Sequence, residues 1–288
     1  MRAVDLNPDD VRASRRHDAM THDAMTSRQH EASGTRTAGE RCVMRFTVLG
    51  ASGLIGSQSV ERLAEAGHDV VAATRSTGVD VVSGKGLRDA LSGADVVIDV
   101  TNSPTFDASS VDFFQSSANA VAAAAEEAGV RHLVILSIVG VDRVPQLDYY
   151  RAKTAQEEIV ASGRTPYSIV RATQFYEFVE AIMSWTTDGD VVRLPRTPLQ
   201  PIAASDVSAA LVGTAAGTPL QGVRGIGGPE VFPLDELGRI ALAARPDGRS
   251  VVTDDRAGPF ALVAGDVLVA PEGSDLGPTY YGDWLERR

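Results

Sequence analysis

Three side chains in the middle of the chain have the types and spacing needed for proton transfer. Ser137 follows the apolar run over residues 132–136, and Tyr149 and Lys153 stand four positions apart in a segment with a helical pattern. Because positions i and i+4 share one face of a helix, the phenol and the ammonium are predicted to lie together. A nearby ammonium stabilises phenolate and would lower the tyrosine pKa from its reference value of about 10. Such a tyrosine can donate a proton to a carbonyl oxygen that the serine hydroxyl holds.

A purely structural interpretation of the same residues stays open. Tyr149 could pack at the start of a helix together with Tyr150, and Lys153 could be solvated. Tyr150 also competes with Tyr149 for the catalytic role, although it lies off the helix face that carries the lysine. Lysine occurs in the chain only at positions 85 and 153, and all the other strongly basic residues are arginines. Since the two side chains are not interchangeable, this favours a need for an ammonium at position 153.

A β-α-β pattern with a glycine-rich turn occupies residues 45–75. An apolar run over residues 45–49 leads into the turn, a helical run to residue 66 follows it, and a second apolar run begins at residue 69. Glycines at such a turn let the backbone approach a pyrophosphate, whose charge the helix N-terminus stabilises. The pattern predicts a dinucleotide site, and a turn that needs glycine only for its geometry is the alternative. The turn residues assigned to this site are Gly50, Ser52, Gly53, Leu54, Ile55 and Gly56.

The end of the second apolar run bears on the choice of cofactor. A site for NAD(H) usually has Asp or Glu there, which accepts a hydrogen bond from the ribose 2′-hydroxyl. This chain has Thr74 and Arg75 instead. The arginine could pair with a 2′-phosphate, so the sequence favours NADP(H) over NAD(H). A solvated loop arginine is the alternative.

The composition excludes several classes of protein. The net charge of −11 over 288 residues argues against a nucleic-acid partner, which needs a basic surface. No apolar run approaches the about 20 residues that span a bilayer, so no membrane partner is expected. Cys42 is the only cysteine, which excludes an internal disulfide, and the five histidines indicate no metal site. We expect a cytoplasmic protein with a small-molecule substrate, while the sequence leaves its oligomeric state unknown.

Strand and helix patterns alternate along most of the chain. Residues 1–44 lack apolar periodicity and are predicted to be a disordered tail. After residue 75 the predicted strands are 79–82, 94–100, 132–136 and 168–170. The predicted helices are 86–91, 111–128 with Ser110 as N-cap, 149–161, 175–185, 205–216 and 234–244. This alternation predicts an α/β fold with a Rossmann-type, doubly wound parallel sheet.

Two further features organise the predicted domain over residues 45–288. Residues 186–288 are rich in proline at first, include a predicted turn at 225–229, and are expected to form a small substrate-side lobe before the chain returns to the sheet. In parallel sheets, ligands bind at the carboxyl ends of the strands. That rule selects the glycine turn and the following residues: Thr74, Arg75, Thr101, Asn102, Ser103, Ser137, Ala172, Thr173 and Gln174.

From Met44 to the C-terminus, the chain resembles an atypical short-chain dehydrogenase/reductase of the NmrA-like, NAD(P)H-binding group. The resemblance rests on the glycine turn, Thr74-Arg75, residues 136–142 and residues 149–153, and also on residues 171–175, 200–202 and 228–230. It implies that Gly50, Gly53, Gly56 and Arg75 bind the phosphates of the cofactor. It also implies that Thr101, Asn102 and Ser103 lie along the cofactor, that Lys153 holds the ribose, and that Gln174 and Phe175 face the substrate.

The sequence leaves three hypotheses about function. The first is an NADP(H)-dependent oxidoreductase that transfers hydride to a small carbonyl or quinone, with Tyr149 as proton donor, Lys153 as its tuner and Ser137 as carbonyl holder. The second is a non-catalytic NADP(H)-binding redox sensor, because the resembling group includes such regulators. The third is a sugar-nucleotide epimerase or dehydratase, which Arg75 and the short C-terminal lobe disfavour.

Overall fold

The computed structural model describes residues 43–287. The predicted disordered tail lies outside the described residues, apart from its last two positions. The strands in chain order are β1 (Arg45–Leu49), β2 (Asp69–Ala73), β3 (Val96–Asp99), β4 (His132–Ile138), β5 (Tyr167–Ala172), β6 (Thr187–Asp188), β7 (Val191–Leu194), β8 (Pro198–Leu199), β9 (Gly222–Gly227), β10 (Phe232–Pro233), β11 (Ser250–Thr253) and β12 (Asp275–Leu276).

Eight α-helices accompany these strands in the described residues. They are α1 (Leu54–Glu65), α2 (Leu87–Leu91), α3 (Ser109–Ala128), α4 (Asp148–Ser162), α5 (Val179–Ser184), α6 (Ala204–Ala215), α7 (Leu234–Ala244) and α8 (Tyr281–Glu286). Short 3₁₀ turns occur at Arg75–Thr77, Val141–Arg143, Tyr176–Phe178 and Pro259–Leu262. None of the described helices is long and apolar enough to cross a membrane.

Seven of the strands form one parallel sheet. Their order is β12-β9-β5-β4-β3-β1-β2, and every neighbouring pair is parallel. The inner strands β3 and β4 are buried almost throughout, as expected where helices cover both faces of a parallel sheet. The order changes direction beside β1, so the carboxyl ends of β1 and β3 border a crevice. The prediction of a Rossmann-type, doubly wound parallel sheet is confirmed.

The C-terminal part of the chain builds a second core beside the sheet. It contains the three-stranded sheet β11-β7-β6 and the two-stranded sheet β10-β8. Tyr176, Tyr281 and Trp284 pack together there, with ring centroids between 4.9 and 5.8 Å apart. The hydroxyl of Tyr176 donates to the carbonyl of Thr279 at 2.8 Å. The chain also returns to the large sheet through β9 and β12, as the sequence predicted.

Two predicted elements near the sheet are wrong. Residues 79–82 form a turn rather than a third strand, because the Asp80 carboxylate accepts the Val82 N–H at 3.0 Å and the Asp80 N–H donates to the Lys85 carbonyl at 2.9 Å. The predicted turn at 225–229 is also wrong, since Gly225 and Gly227 lie within strand β9. A Cβ at Gly225 would lie 2.4 Å from Ser274 Oγ, so glycine lets the 270–274 segment pack against this strand.

Two helix boundaries differ from those predicted. Ser110 lies inside α3 rather than at its N-cap, and its hydroxyl donates to the Asp107 carbonyl at 2.6 Å. The predicted helix over 175–185 is shorter, because a 3₁₀ turn over Tyr176–Phe178 precedes α5. The predicted helix over 234–244 is confirmed as α7.

Candidate active site

The glycine turn lies between the end of β1 and the start of α1. Gly50 has a φ of +80°, and a Cβ there would lie 2.9 Å from the carbonyl oxygen of Val100. A Cβ at Gly56 would lie 2.2 Å from the Gly50 carbonyl oxygen, so glycine permits close packing of the turn against the first turn of the helix. No side chain caps the N-terminus of α1, at Gly53. The free N–H groups of this helix end, with its dipole, suit a pyrophosphate.

Arg75 follows the end of β2 and is exposed to solvent. It begins a 3₁₀ turn that Thr74 and Thr77 stabilise by a reciprocal capping box. The pKa of Asp80 is lowered by the Val82 N–H and the Ser83 hydroxyl, and the Arg75 guanidinium adds to this effect. The guanidinium therefore lies close enough to Asp80 to affect its carboxylate, and it is accessible from solvent at the carboxyl end of β2.

Asp99 ends β3 and carries a buried carboxyl group that the sequence analysis did not single out. It accepts hydrogen bonds from the Thr101 N–H at 2.9 Å and the Thr101 hydroxyl at 2.6 Å. Burial raises its pKa. In the segment that follows, Asn102 is exposed and Ser103 is buried. The sequence feature that could have identified Asp99 is an acidic residue at the end of an otherwise apolar strand.

Lys153 is buried in α4, with only 4% of its surface exposed. Its ammonium donates to the Leu136 carbonyl at 2.6 Å and to the side-chain oxygen of Gln156. The Gln156 amide nitrogen lies 3.4 Å from a carboxylate oxygen of Asp99, so the glutamine links the cation to the buried carboxylate. Burial lowers the pKa of Lys153 to about 8. Gln156 is a second residue that the sequence analysis missed.

Tyr149 precedes Lys153 by one helical turn and is half-buried. Its hydroxyl donates to the side-chain oxygen of Asn102 at 2.5 Å, which joins α4 to the segment after β3. Burial raises the pKa of Tyr149, so the prediction of a lowered pKa is wrong for this arrangement. The Lys153 ammonium is bonded to Leu136 and Gln156 instead, and both Lys153 and Tyr149 lie against the ring of Phe114.

Tyr150 faces a different part of the molecule. Its hydroxyl accepts a hydrogen bond from the Gln174 amide at 3.2 Å, and its ring belongs to the second core. It therefore lies off the Tyr149 side of α4, as the helical spacing indicated.

Unpaired buried polar atoms mark the carboxyl ends of β4 and β5. The hydroxyl of Ser137, a residue only 3% exposed, has no hydrogen-bond partner among the described residues. The Thr173 hydroxyl and the Gln174 side-chain oxygen are also buried without a hydrogen-bond partner among these residues. Ser137 pairs with Arg171 across the two strands, so these groups lie at one edge of the sheet. Because an unpaired buried polar group destabilises a protein, such groups are suited to bind a ligand.

A partly buried ion pair fixes α4 against this edge. The Arg171 guanidinium donates to both oxygens of Glu157, at 2.9 and 2.6 Å, and to Asp142 at 2.9 Å. Bidentate pairing of this kind sets geometry as well as energy. It holds the helix that carries Tyr149 and Lys153 in a fixed orientation to the strand ends.

A parallel sheet with a glycine turn after β1, and polar groups at the ends of β3, β4 and β5, defines the class of Rossmann-type dinucleotide-binding proteins. The chain belongs to the NAD(P)H-binding family, whose profile matches residues 50–215. The resemblance to an NAD(P)H-binding group is thereby confirmed.

A curated relative confirms the prediction of an NAD(P)-dependent oxidoreductase. The (4-alkanoyl-5-oxo-2,5-dihydrofuran-3-yl)methyl phosphate reductase of Streptomyces griseus is 33% identical over 208 residues, which cover 66% of this chain and 70% of the relative.

Solved structures share the fold. The dTDP-4-dehydrorhamnose reductase of Bacillus anthracis in complex with NADP has a TM-score of 0.66 at 18% identity, over 85% of this chain and 98% of that one. The NADPH-dependent quinone oxidoreductase of Escherichia coli with NADPH has a TM-score of 0.57 at 19% identity, over 73% and 77% of the two chains.

Proposed function

We propose that the protein is an NADP(H)-dependent reductase that transfers hydride to a small carbonyl or quinone substrate. The observation that carries the proposal is the buried, unpaired hydroxyl of Ser137 at the same sheet edge as the Tyr149 and Lys153 side chains of α4. A hydroxyl in that state is available to donate to a carbonyl oxygen. Tyr149 supplies a second hydroxyl, and its raised pKa keeps it protonated near neutral pH.

Several features of this chain fit a bound NADP(H). The glycine turn packs so closely that a Cβ at Gly50 or Gly56 would clash with backbone atoms, and the N-terminus of α1 beside it has no side-chain cap. In this proposal Arg75 binds the 2′-phosphate, and Lys153 binds the nicotinamide ribose. The remaining residues assigned to the cofactor are Ser52, Gly53, Leu54, Ile55, Thr74, Thr101, Asn102 and Ser103.

The proposed mechanism assigns one role to each polar group. A bound nicotinamide supplies the hydride. Ser137 donates a hydrogen bond to the substrate carbonyl, and Tyr149 gives its hydroxyl proton to that oxygen as negative charge develops there. In the structure the Tyr149 hydroxyl donates to the side-chain oxygen of Asn102 at 2.5 Å. Proton transfer therefore requires Tyr149 to break this hydrogen bond and form one to the substrate oxygen. Leu136 and Gln156 hold the Lys153 ammonium in place, and in this mechanism it binds the ribose of the cofactor rather than setting the pKa of Tyr149.

The preference for NADP(H) is tested by removing the Arg75 guanidinium. We expect Arg75→Ala to raise the Kd for NADPH by about 10- to 100-fold, as for loss of a charged hydrogen bond, and to leave NADH binding unchanged. Titration of both cofactors measures this effect, with Arg88→Ala as the control for an exposed arginine elsewhere. Equal weakening of NADPH and NADH binding would contradict the assigned preference.

The substrate panel follows from the hypothesis and the relative. It contains quinones, aldehydes and an oxo-dihydrofuran that carries an alkanoyl group, the compound class in the name of the Streptomyces griseus reductase. Oxidation of NADPH is followed for the wild type, Tyr149→Phe and the control Tyr280→Phe, whose hydroxyl lies on an exposed residue. We expect Tyr149→Phe to lower kcat by about 100- to 10,000-fold with cofactor binding intact. Unchanged turnover in Tyr149→Phe would remove the tyrosine from the mechanism.

A redox sensor is the second candidate, and one observation favours it. The Tyr149 hydroxyl is satisfied by Asn102, and the tyrosine pKa is raised rather than tuned toward neutrality. A tyrosine in that state suits a structural contact as well as proton donation. Tight NADPH binding without turnover of any panel compound, in both wild type and Tyr149→Phe, would favour the sensor over the reductase.

A further inference from the structure

A buried carboxylate beside the candidate active site has no part in the mechanism above. Asp99 is only 2% exposed at the end of β3. One of its oxygens accepts hydrogen bonds from the Thr101 N–H and hydroxyl, and the other accepts one from the Gln156 amide at 3.4 Å. Because its partners are all donors in this arrangement, the carboxyl group is bound as an anion rather than as an acid.

The cation that Gln156 connects to this anion is equally buried. Lys153 is 4% exposed, and its ammonium donates to the Leu136 carbonyl at 2.6 Å and to the Gln156 side-chain oxygen. It also lies over the Phe114 ring, 4.6 Å from the ring centroid. An ammonium has three N–H donors, and the third has no oxygen acceptor among the described residues. That donor is available to an oxygen of a ligand.

Burial opposes both charges, so each depends on the other. Burial raises the pKa of Asp99 and lowers that of Lys153 to about 8, and the attraction between the two groups counteracts both shifts. Glu157 is the second anion that acts on Lys153, but the Arg171 guanidinium donates to both of its oxygens. Tyr149 stays uncharged near neutral pH because burial raises its pKa. Asp99 therefore differs from Glu157 in having no arginine partner among the described residues.

We propose that Asp99 is a positioning residue for the cofactor, which holds Lys153 through Gln156 and the segment after β3 through Thr101. The inference rests on the proposed function, in which Lys153 binds the nicotinamide ribose and residues 101–103 lie along the cofactor. One carboxylate oxygen orients the segment after β3, and the other keeps the Gln156 amide turned so that its oxygen meets the ammonium. An amide turned the other way would place its N–H groups against the cation.

The first test measures the charge of Lys153 without any cofactor. The chain has only two lysines, Lys85 and Lys153, so isotope-labelled lysine gives few NMR signals to assign. We expect Lys153 to titrate with a pKa of about 8 in the wild type. In Asp99→Asn its pKa should lie about one pH unit lower, because a nearby opposite charge is lost. Asp89→Asn, at an exposed position of α2, is the control and should leave the Lys153 titration unchanged.

A double variant separates the loss of charge from damage to the fold. In Asp99→Asn/Gln156→Glu the carboxylate moves to position 156, where it can accept a hydrogen bond directly from the ammonium, and the new amide at position 99 can donate to it. We expect this variant to return the Lys153 pKa to at least its wild-type value. A Lys153 pKa that stays low in the double variant would show that Asp99 does not act through its charge.

The second test measures the Kd for NADPH by titration between pH 7 and 9.5. As Lys153 loses its proton, we expect the wild-type Kd to rise by about 5- to 10-fold, because a charged hydrogen bond becomes a neutral one. In Asp99→Asn this rise should occur about one pH unit lower. The rise should be absent in Lys153→Met and unchanged in the control Asp89→Asn.

Two outcomes would overturn the role of Asp99 and leave the reductase proposal intact. One is a Lys153 pKa in Asp99→Asn that equals the wild-type value, and the other is a rise of the Kd at the same pH in both proteins. A third outcome identifies failure of the proposed function itself. If the Lys153 pKa falls as expected but no protein shows a pH-dependent Kd, Lys153 does not bind the cofactor through its charge, and the positioning role of Asp99 fails with that assignment.

Discussion

The ammonium of Lys153 lies away from water and depends on two neighbouring oxygens. The Leu136 carbonyl and the Gln156 side-chain oxygen accept hydrogen bonds from it, and the Gln156 amide N–H donates to the Asp99 carboxylate. The orientation of this amide suits a cation on one side and an anion on the other. A buried charge that loses such a partner is left unsatisfied, and this destabilises the folded state.

This arrangement leads to a prediction for Gln156→Leu. The leucine removes the acceptor for Lys153 and the donor for Asp99 without a large change in volume. We expect the free energy of unfolding to fall by about 1–3 kcal/mol, as for a buried group left unpaired. Urea denaturation measures the change. Gln115→Leu, at an exposed position of α3, is the control and should change it by less than about 0.5 kcal/mol. A loss as small as that of the control would show that the glutamine does not support the lysine.

At the scale of elements, the turn between β1 and α1 depends on very close backbone contacts. A Cβ at Gly56 would lie 2.2 Å from the Gly50 carbonyl oxygen and 2.8 Å from the Ala51 Cα. Backbone atoms cannot move aside as the end of a flexible side chain can. The helix must therefore shift away from the turn if any larger residue occupies this position.

We expect opposite effects from two glycine-to-alanine substitutions. Gly56→Ala should lower the free energy of unfolding by about 1–3 kcal/mol, because the added methyl group forces the turn and helix apart. Gly213→Ala lies in α6 with open space around the added methyl group, so it should raise the free energy of unfolding by about 0.4–1 kcal/mol. Urea denaturation of both variants measures the difference. Effects of the same sign would contradict the steric argument.

The sequence predicted this turn and most of the sheet because their patterns are local. The β1–α1 glycines, the buried runs of β3 and β4, and helix α7 are all visible in short windows. Residues 79–82 also have a strand pattern, but the Asp80 side chain bonds its own backbone two residues on and forms a turn. The sequence did not predict strand β9 because its glycines suggested a turn. These glycines instead leave space for residues 270–274, which are distant in sequence.

The sequence predicted Tyr149 and Lys153 as neighbours on α4, but it did not predict the directions of their pKa shifts. Helical spacing put Tyr149 and Lys153 on one face, yet it carried no information about burial or about the partner of each group. Asn102 reaches Tyr149 across 47 positions in sequence, and Gln156 holds Lys153 within α4. The direction of the tyrosine pKa shift depends on these contacts, which only the folded chain defines.

Over the whole molecule, the large sheet joins the glycine turn to the C-terminal part of the chain. Strands β9 and β12 extend the sheet beyond β5, and the Gly277 N–H donates to the Gly227 carbonyl at 2.8 Å. Asp206 in α6 accepts hydrogen bonds from the Thr279 N–H and hydroxyl at 3.0 and 3.1 Å. Residues from the N-terminal and C-terminal parts of the chain thus both support a site at the strand ends. The charged groups of this site therefore contribute to the stability of the whole fold.

The pH dependence of unfolding provides a test of the buried Lys153. Its folded pKa is lowered to about 8 from the 10.5 of an exposed lysine, so between these values the unfolded chain binds more protons. Stability is therefore expected to rise with pH in this window, and from pH 8 to 9.5 the contribution is about 2 kcal/mol. Above pH 10 the half-buried Tyr149 and the buried Tyr150, whose pKa values are raised, act in the opposite direction.

The measurement is the free energy of urea unfolding at pH 7.5, 8.5 and 9.5 for the wild type, Lys153→Met and Lys85→Met. Subtracting each variant from the wild type cancels the contributions of the other titrating groups. We expect the difference for Lys153→Met to grow in favour of the wild type by about 2 kcal/mol across this range, because only the wild type loses a buried charge. Lys85 is the other lysine of the chain and is exposed, so its variant should show a constant difference. Parallel curves for all three proteins would mean that the Lys153 ammonium titrates as it does in water.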